Sequence, residues 1–209
     1  SDKTVTLSEI TATGGAVTTP TLADVPDTCQ ITSGNADADS DGTNLFAISS
    51  ACVITVADSG DLDYEATTSY TLSLLATDTD VNNGGNSDSA VGTVTVNIQD
   101  IAPTVTDNDV NYAESTSCSS SPATIATSGD TTGLTWSISS GNEDTDSDGT
   151  AAFAIGSGTG VITVADCDDI DDESGTGNQF ALVIQATDGT TADTETITIT
   201  ITDTAPTVT

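Results

Sequence analysis

Apolar and polar residues alternate over several short runs of the chain, and clusters of Gly, Asp and Asn separate these runs. The clearest runs place apolar side chains at Tyr70, Leu72 and Leu74, at Val94, Val96 and Ile98, and at Ile197, Ile199 and Ile201. Period-two alternation bounded by turn residues is typical of half-buried strands in a β-sandwich. No stretch shows the apolar stripe of an amphipathic helix. The pattern therefore predicts an all-β protein.

The same pattern occurs twice, which indicates a tandem duplication. The segment ITSGNADADSDGTNLFAI matches ISSGNEDTDSDGTAAFAI, YTLSLLATD matches FALVIQATD, and TVTVNIQDIAPTVT matches TITITITDTAPTVT. These matches follow the same order in both halves. We expect two tandem antiparallel β-sandwich domains with Ig-like Greek-key connections, spanning residues 1–103 and 104–209.

Composition fits two thin cores better than one broad one. Hydrophobic residues make up 35% of the chain and aromatic residues only 3%, so Val, Ile, Leu and Ala must fill each sandwich. The single tryptophan, Trp136, aligns with the strand position that Cys29 holds in the first copy. We therefore expect Trp136 to be a core residue.

Charge narrows the choice of partners. The chain carries 33 acidic residues and one basic residue, Lys3, which gives a net charge of -32. Repulsion on this scale opposes compaction unless salt or bound cations offset it. Nucleic acid and anionic membranes are excluded as partners because no cationic patch can form, and no apolar run is long enough to insert into a bilayer. Cations are the natural partners, and the alternative is that acidity only maintains solubility in saline water.

Four cysteines indicate disulfide bonds rather than a zinc site, because the chain has no CxxC spacing and no histidine. An even number of cysteines in a loop-rich acidic chain fits an oxidising, extracellular location. We expect one pair in each half, Cys29 with Cys52 and Cys118 with Cys167. The alternative is two free buried thiols in each half.

Several motifs recur in both halves and together resemble a cadherin repeat, in the diverged form of bacterial and archaeal surface proteins. They are SGN before the aspartate loop, the FAI strand, the VITV strand, LDYE and IDDE, the ATD triplets at Ala76–Asp78 and Ala186–Asp188, and the closing DIAP and DTAP. Their order covers nearly the whole chain. The resemblance implies an extracellular, non-enzymatic protein with a structural or adhesive role.

The resemblance also implies calcium at the junction between successive repeats. Carried over by position, the ligands from the first repeat are Glu9, Asp63, Glu65, Asn97 and Asp100, and those from the second are Asp130 and Asp188. Gln99 and Ile101 stand where the family pattern has further ligands, so we expect about one or two ions per junction. The alternative is that these acids are surface residues without bound metal.

Two acidic loops are a second kind of candidate. Asp37, Asp39 and Asp41 precede Gly42, and the second copy repeats the pattern with Asp144, Asp146, Asp148 and Gly149. Alternating aspartates followed by glycine begin a DxDxDG calcium loop. The position of the closing glutamate of an EF-hand is held by Ile48 and Ile155, so any ion needs a closing ligand from elsewhere or water. The alternative is a plain Asp/Gly turn.

Other chemistry is sparse. The chain has no histidine, no GxSxG element and no phosphate-binding glycine loop. Paired carboxylates could serve a glycosidase, but such clefts are lined with aromatic residues that this chain lacks. We therefore expect no catalysis. A glycan- or protein-binding module is a further alternative, which the low aromatic content disfavours.

The chain ends almost at the point in the repeat where a further copy would begin. Glu9 aligns with Glu114, an offset of 105 that places Ser1 opposite Thr106. Two interpretations follow: the chain is a two-repeat segment of a longer adhesin, or a subunit that assembles head to tail with its own copies. An open head-to-tail contact gives a filament. In the second case, the ligands of the next junction are Glu114, Asp171, Glu173 and Asp203.

Overall fold

The chain folds as two successive β-sandwiches. The computed structural model describes residues 2–22, 25–78, 88–171 and 178–205, so the candidate ligand Glu173 lies outside the described residues. The chain divides into two compact units, Ser1–Ile101 and Ala102–Thr209, because most contacts are made within a unit. The observed boundary lies two residues before the predicted one.

The first unit consists of a four-stranded and a three-stranded sheet. The larger sheet contains, in spatial order, β1 (Lys3–Ser8), β7 (Asp88–Gln99), β6 (Ser69–Asp78) and β3 (Thr28–Ser33). The smaller contains β2 (Ala16–Thr18), β5 (Ile54–Val56) and β4 (Phe46–Ile48). All neighbouring strands are antiparallel except β1 and β7, which are parallel. The β3–β4 and β5–β6 loops each connect one sheet to the other.

The second unit repeats this arrangement. Its larger sheet contains β12 (Thr135–Ser140), β15 (Gln179–Thr187), β16 (Ala192–Thr202) and β9 (Val110–Ala113), with β9 parallel to β16. Its three-stranded sheet contains β10 (Ala123–Thr124), β14 (Val161–Val164) and β13 (Phe153–Ile155). A short ribbon pairs β11 (Thr127–Ser128) with β8 (Thr104–Val105). The β12–β13 and β14–β15 loops cross between the sheets.

Each core lies between its two sheets, where the alternating residues meet. The strand assignments predicted from alternation are confirmed: β6 and β16 bury every second side chain, with Leu72 and Ile199 both 0% exposed. Edge-to-face aromatic pairs bridge the sheets, Phe46 with Tyr70 and Phe153 with Phe180. Such pairs add about 0.5–1.5 kcal/mol beyond the area that they bury.

Disulfide bonds join the predicted cysteines. Cys29 bonds to Cys52 and Cys118 bonds to Cys167, one pair in each unit. Trp136 is buried at 6% exposure in the core of the second unit, as expected from its alignment with Cys29.

In the described part of the chain, no helix is long and apolar enough to cross a membrane.

Candidate metal centres

The buried Glu9 forms hydrogen bonds with two acidic segments at one end of the first unit, the LDYE segment and the segment after β7. Glu9 follows β1, which runs parallel to β7, so both strands deliver their following residues to the same end of the sheet. Its side chain is 5% exposed, and its two carboxylate oxygens accept the N–H groups of Tyr64 at 2.8 Å and Ile101 at 2.6 Å. The LDYE segment and the segment after β7 are thereby joined to one carboxylate.

The second unit repeats part of this arrangement. Glu114 follows β9, and its Oε1 accepts the N–H of Thr204 at 2.8 Å. Thr204 follows Asp203 as Ile101 follows Asp100. The two glutamates therefore share one contact, to the residue that follows the linker aspartate.

The other acids predicted at these ends differ in exposure. Asp63 is half-buried, and its Oδ1 accepts the N–H of Ala66 at 3.0 Å. Asp100 is also half-buried, whereas Glu65, Asn97, Asp171 and Asp203 are exposed. Asn97 lies within β7, where it alternates with the buried Val96 and Ile98 and so faces away from the core.

Two further candidate ligands belong to the second unit. Asp130 is 5% exposed, and its Oδ1 accepts the N–H of Thr132 at 2.9 Å. Its Oδ2 is buried and has no hydrogen-bond partner among the described residues. At Asp188, burial raises the pKa, but hydrogen bonds from the Thr191 hydroxyl and from the N–H groups of Thr191 and Thr190 outweigh it. The pKa of Asp188 is therefore below its ordinary value.

The aspartate loop of the first unit occupies the β3–β4 crossover. Two hydrogen bonds between Asn35 and Phe46 join the two ends of this loop. The side-chain amide of Asn35 donates to the carbonyl of Phe46 and accepts the N–H of Phe46. Within the loop, Asp37 Oδ2 accepts the N–H of Gly42 at 3.1 Å, and Asp39 Oδ1 accepts that of Asp41 at 3.0 Å. The left-handed backbone of Gly42 (φ 98°) closes the turn.

The sequence interpretation missed Asp61, which belongs to this loop in space. Asp61 lies in the β5–β6 crossover and is 2% exposed. Its Oδ1 accepts the N–H groups of Ala38 at 2.8 Å and Asp39 at 3.0 Å. One carboxylate oxygen from each of Asp37, Asp39 and Asp61 lies within 4.8 Å of the other two. The signal in the sequence was the aspartate before LDYE, which recurs as Asp169 before IDDE.

The second unit builds the same loop. Asp169 is 1% exposed, and its Oδ1 accepts the N–H groups of Thr145 at 2.6 Å and Asp146 at 3.1 Å. Oxygens of the three loop aspartates lie within 4.8 Å of one another, namely Asp144, Asp146 and Asp148. The side-chain amide of Asn142 forms two hydrogen bonds with the backbone of Phe153, as Asn35 does with Phe46. The loop of the second unit is therefore closed by a buried aspartate in the same way.

The charges in these loops repel one another. The N–H of Asp41 lowers the pKa of Asp39, but partial desolvation and the charges of Asp41, Asp61 and Asp58 together raise it above the ordinary value. The pKa of Asp146 is raised in the same way, against the lowering effect of the N–H of Asp148. The lone lysine, Lys3, donates to the carbonyl of Thr19. Among the described residues, neither loop therefore has a basic side chain to offset its carboxylates.

Comparison with known proteins gives structural matches alone. No family model and no curated protein sequence matches the chain. Solved structures that match include the human Desmocollin-1 ectodomain (18% identity, TM-score 0.42, covering 97% of this chain and 41% of that one). Mouse Cadherin-23 EC22-24 also matches, with 18% identity and a TM-score of 0.41, over 96% of this chain and 63% of that one. Drosophila N-cadherin EC1-3 matches with 14% identity and a TM-score of 0.44, over 97% of this chain and 66% of that one. The chain spans about half the length of the first structures that it matches.

The fold itself is all-β, with two successive β-sandwich units. Because the TM-scores of these matches lie below 0.5, the function is argued from the acidic residues themselves.

Proposed function

We propose that this is an extracellular, non-enzymatic structural or adhesive protein whose cadherin-like repeats are stiffened by calcium. The observation that carries the proposal is the carboxylate of Glu9, which joins the LDYE segment to the segment after β7. This contact places acids from three separate parts of the sequence at one end of the first unit. The two disulfide bonds support an oxidising, extracellular location.

Calcium suits this end of the unit because it takes six to eight oxygen ligands and tolerates irregular geometry. The residues that would hold it are Glu9, Asp63, Glu65 and Asp100, with Asp130 and Asp188 as proposed ligands from the second repeat. Bound calcium would neutralise clustered carboxylates and thereby restrict segments that otherwise repel one another.

The test is thermal unfolding with and without calcium. A ligand that binds the folded state at a hundredfold excess over its Kd stabilises it by about 2.7 kcal/mol, which is about 10 °C or more for a domain of this size. We expect Tm to rise by this amount in millimolar calcium and to fall again with chelator. Asp63→Asn with Glu65→Gln should reduce the rise, whereas Asp2→Asn, which removes an exposed charge elsewhere, should not. An unchanged Tm in both directions would refute the calcium mechanism.

A head-to-tail filament of this chain is a second candidate. The contact between Glu114 and Thr204 supports it, because this contact repeats the one between Glu9 and Ile101 in the first unit. Such an end would accept a further repeat, supplied by a second copy of the chain or by the next domain of a longer adhesin.

A further inference from the structure

Asp61 has a buried carboxylate, and only one of its two oxygens has a hydrogen-bond partner among the described residues. Oδ1 accepts two N–H groups of the aspartate loop, but Oδ2 is buried and has no hydrogen-bond partner among the described residues. Asp37 in the same cluster also has a buried oxygen, Oδ1, without such a partner. Leaving a buried carboxylate uncompensated destabilises a fold strongly. These oxygens therefore indicate a missing positive charge.

The spacing of the carboxylates fits one calcium ion. Calcium–oxygen distances are about 2.3–2.6 Å, so ligands on opposite sides of the ion lie about 4.6–5.2 Å apart. The oxygens of Asp37, Asp39 and Asp61 lie within 4.8 Å of one another, so one ion can contact all three.

More carboxylates surround this position. Asp39 also forms a cluster with Asp41 and Asp58, again with one oxygen from each within 4.8 Å of the others. Gly60 allows this crowding, because a Cβ there would lie 3.2 Å from both Asp39 Oδ2 and Asp58 Oδ1. All of these donors are oxygens and several are charged, which favours calcium over magnesium, since magnesium retains its water shell and demands octahedral geometry.

The second unit shares part of this arrangement: oxygens of Asp144, Asp146 and Asp148 lie within 4.8 Å of one another, and hydrogen bonds hold Asp169 against the same loop. Asp169 Oδ2 is buried and lacks a hydrogen-bond partner among the described residues, while its Oδ1 binds the loop. Asp166 occupies the position of Asp58.

We propose that each sandwich binds a calcium ion of its own, between its aspartate loop and the buried aspartate of the β5–β6 or β14–β15 crossover. Asp61 and Asp169 supply the closing ligand that the loop sequence lacks. These sites are internal to each unit and use none of the acids proposed as ligands at Glu9, so they do not depend on the proposed function. The ion fastens the two crossover loops of one sandwich to each other.

The test measures calcium stoichiometry by isothermal titration calorimetry on the full chain. Asn in place of Asp61 retains an oxygen for the two N–H groups but loses the charge. We expect Asp61→Asn to remove one calcium-binding event per chain, or to weaken it by about 10–100-fold or more. Asp169→Asn should remove another, and the double variant both. Asp2→Asn is the charge-matched control and should bind as the wild type does.

Stability without calcium separates a ligand from a merely structural aspartate. If Asp61 is a ligand, Asp61→Asn should unfold in chelator at a temperature equal to or above that of the wild type, and only its calcium-dependent rise should shrink. Wild-type stoichiometry and affinity in Asp61→Asn would overturn the proposal. Should that variant fail to fold, the exposed Asp39→Asn gives the same test, and unchanged binding there overturns it equally.

The two calcium proposals can fail independently. Loss of a binding event in Asp61→Asn but not in Asp63→Asn with Glu65→Gln supports the internal site and counts against the site at Glu9. The opposite result counts against the internal site alone.

Discussion

Single residues at the start of each aspartate loop show how tightly the backbone is constrained there. Gly34 has a φ of 82°, and a Cβ at this position would lie 1.9 Å from the carbonyl oxygen of Thr71. Gly141 repeats this geometry against Ala181 at 1.9 Å. The glycine of each SGN motif is therefore required both by its left-handed backbone and by the close approach of the neighbouring strand.

Gly34→Ala should lower the free energy of unfolding by about 3 kcal/mol or more, because it adds a steric clash to an unfavourable φ. Gly14→Ser is the matched control. Gly14 also has a positive φ of 87°, but a Cβ there meets nothing within 4 Å, and its counterpart in the second unit is Ser119. We expect a loss of about 1 kcal/mol for the control. Urea denaturation of both variants measures the difference, and equal losses would contradict the steric explanation.

At the scale of elements, the two units cross-link different positions of the same scaffold. The disulfide between Cys29 and Cys52 aligns with Trp136 and Gly160, where a Cβ on the glycine would lie 2.8 Å from the indole ring. Conversely, the disulfide between Cys118 and Cys167 aligns with two hydroxyl residues of the first unit, Thr13 and Ser59. Each position thus has a covalent link in one unit and a non-covalent contact in the other.

The contact between Thr13 and Ser59 should accept a disulfide. Their hydroxyl oxygens lie 3.2 Å apart, and the N–H of Ser59 also donates to Thr13. We expect Thr13→Cys with Ser59→Cys to oxidise spontaneously and to stabilise the first unit by about 2–4 kcal/mol. Thiol alkylation followed by mass spectrometry detects the bond, and Tm with and without reductant measures its effect. The single variant Thr13→Cys is the control, and persistent free thiols in the double variant would contradict the alignment of the two positions.

At the scale of the whole molecule, acidity is distributed in a pattern that repeats with the fold. In each unit, a glutamate follows the strand that pairs in parallel with the last strand, and it accepts an N–H after that last strand, at Ile101 or at Thr204. Each unit also has an aspartate loop held by a buried aspartate. The net charge of -32 is therefore concentrated in part at two recurring places where cations can offset it.

The repeated end of the second unit leads to a prediction about assembly. If a second copy of the chain continues the series, electron microscopy should show filaments in millimolar calcium and dispersed particles in chelator. Glu114→Gln with Asp203→Asn should abolish the filaments. Monomers alone in calcium would count against a homopolymer and favour the segment of a longer adhesin.

Much of the fold could be predicted because its signals are local. Alternation of apolar residues fixes which side of a strand faces the core, so β6, β7 and β16 were predictable from runs of a few residues. The duplication added a second copy of each signal, and it also indicated the pairing of the cysteines, one disulfide in each half. The core position of Trp136 followed from the same alignment.

The sequence by itself thus determined the strands, the two repeats, the disulfide pairs and the acidic loops as candidate cation sites. Only the tertiary structure decided what closes those loops. Asp61 lies 22 residues beyond Asp39 in sequence, and it reaches the loop because the β3–β4 and β5–β6 crossovers pass between the same two sheets. No local pattern encodes that meeting, since it depends on how the sheets pack, and the same holds for the contact of Glu9 with Tyr64 and Ile101.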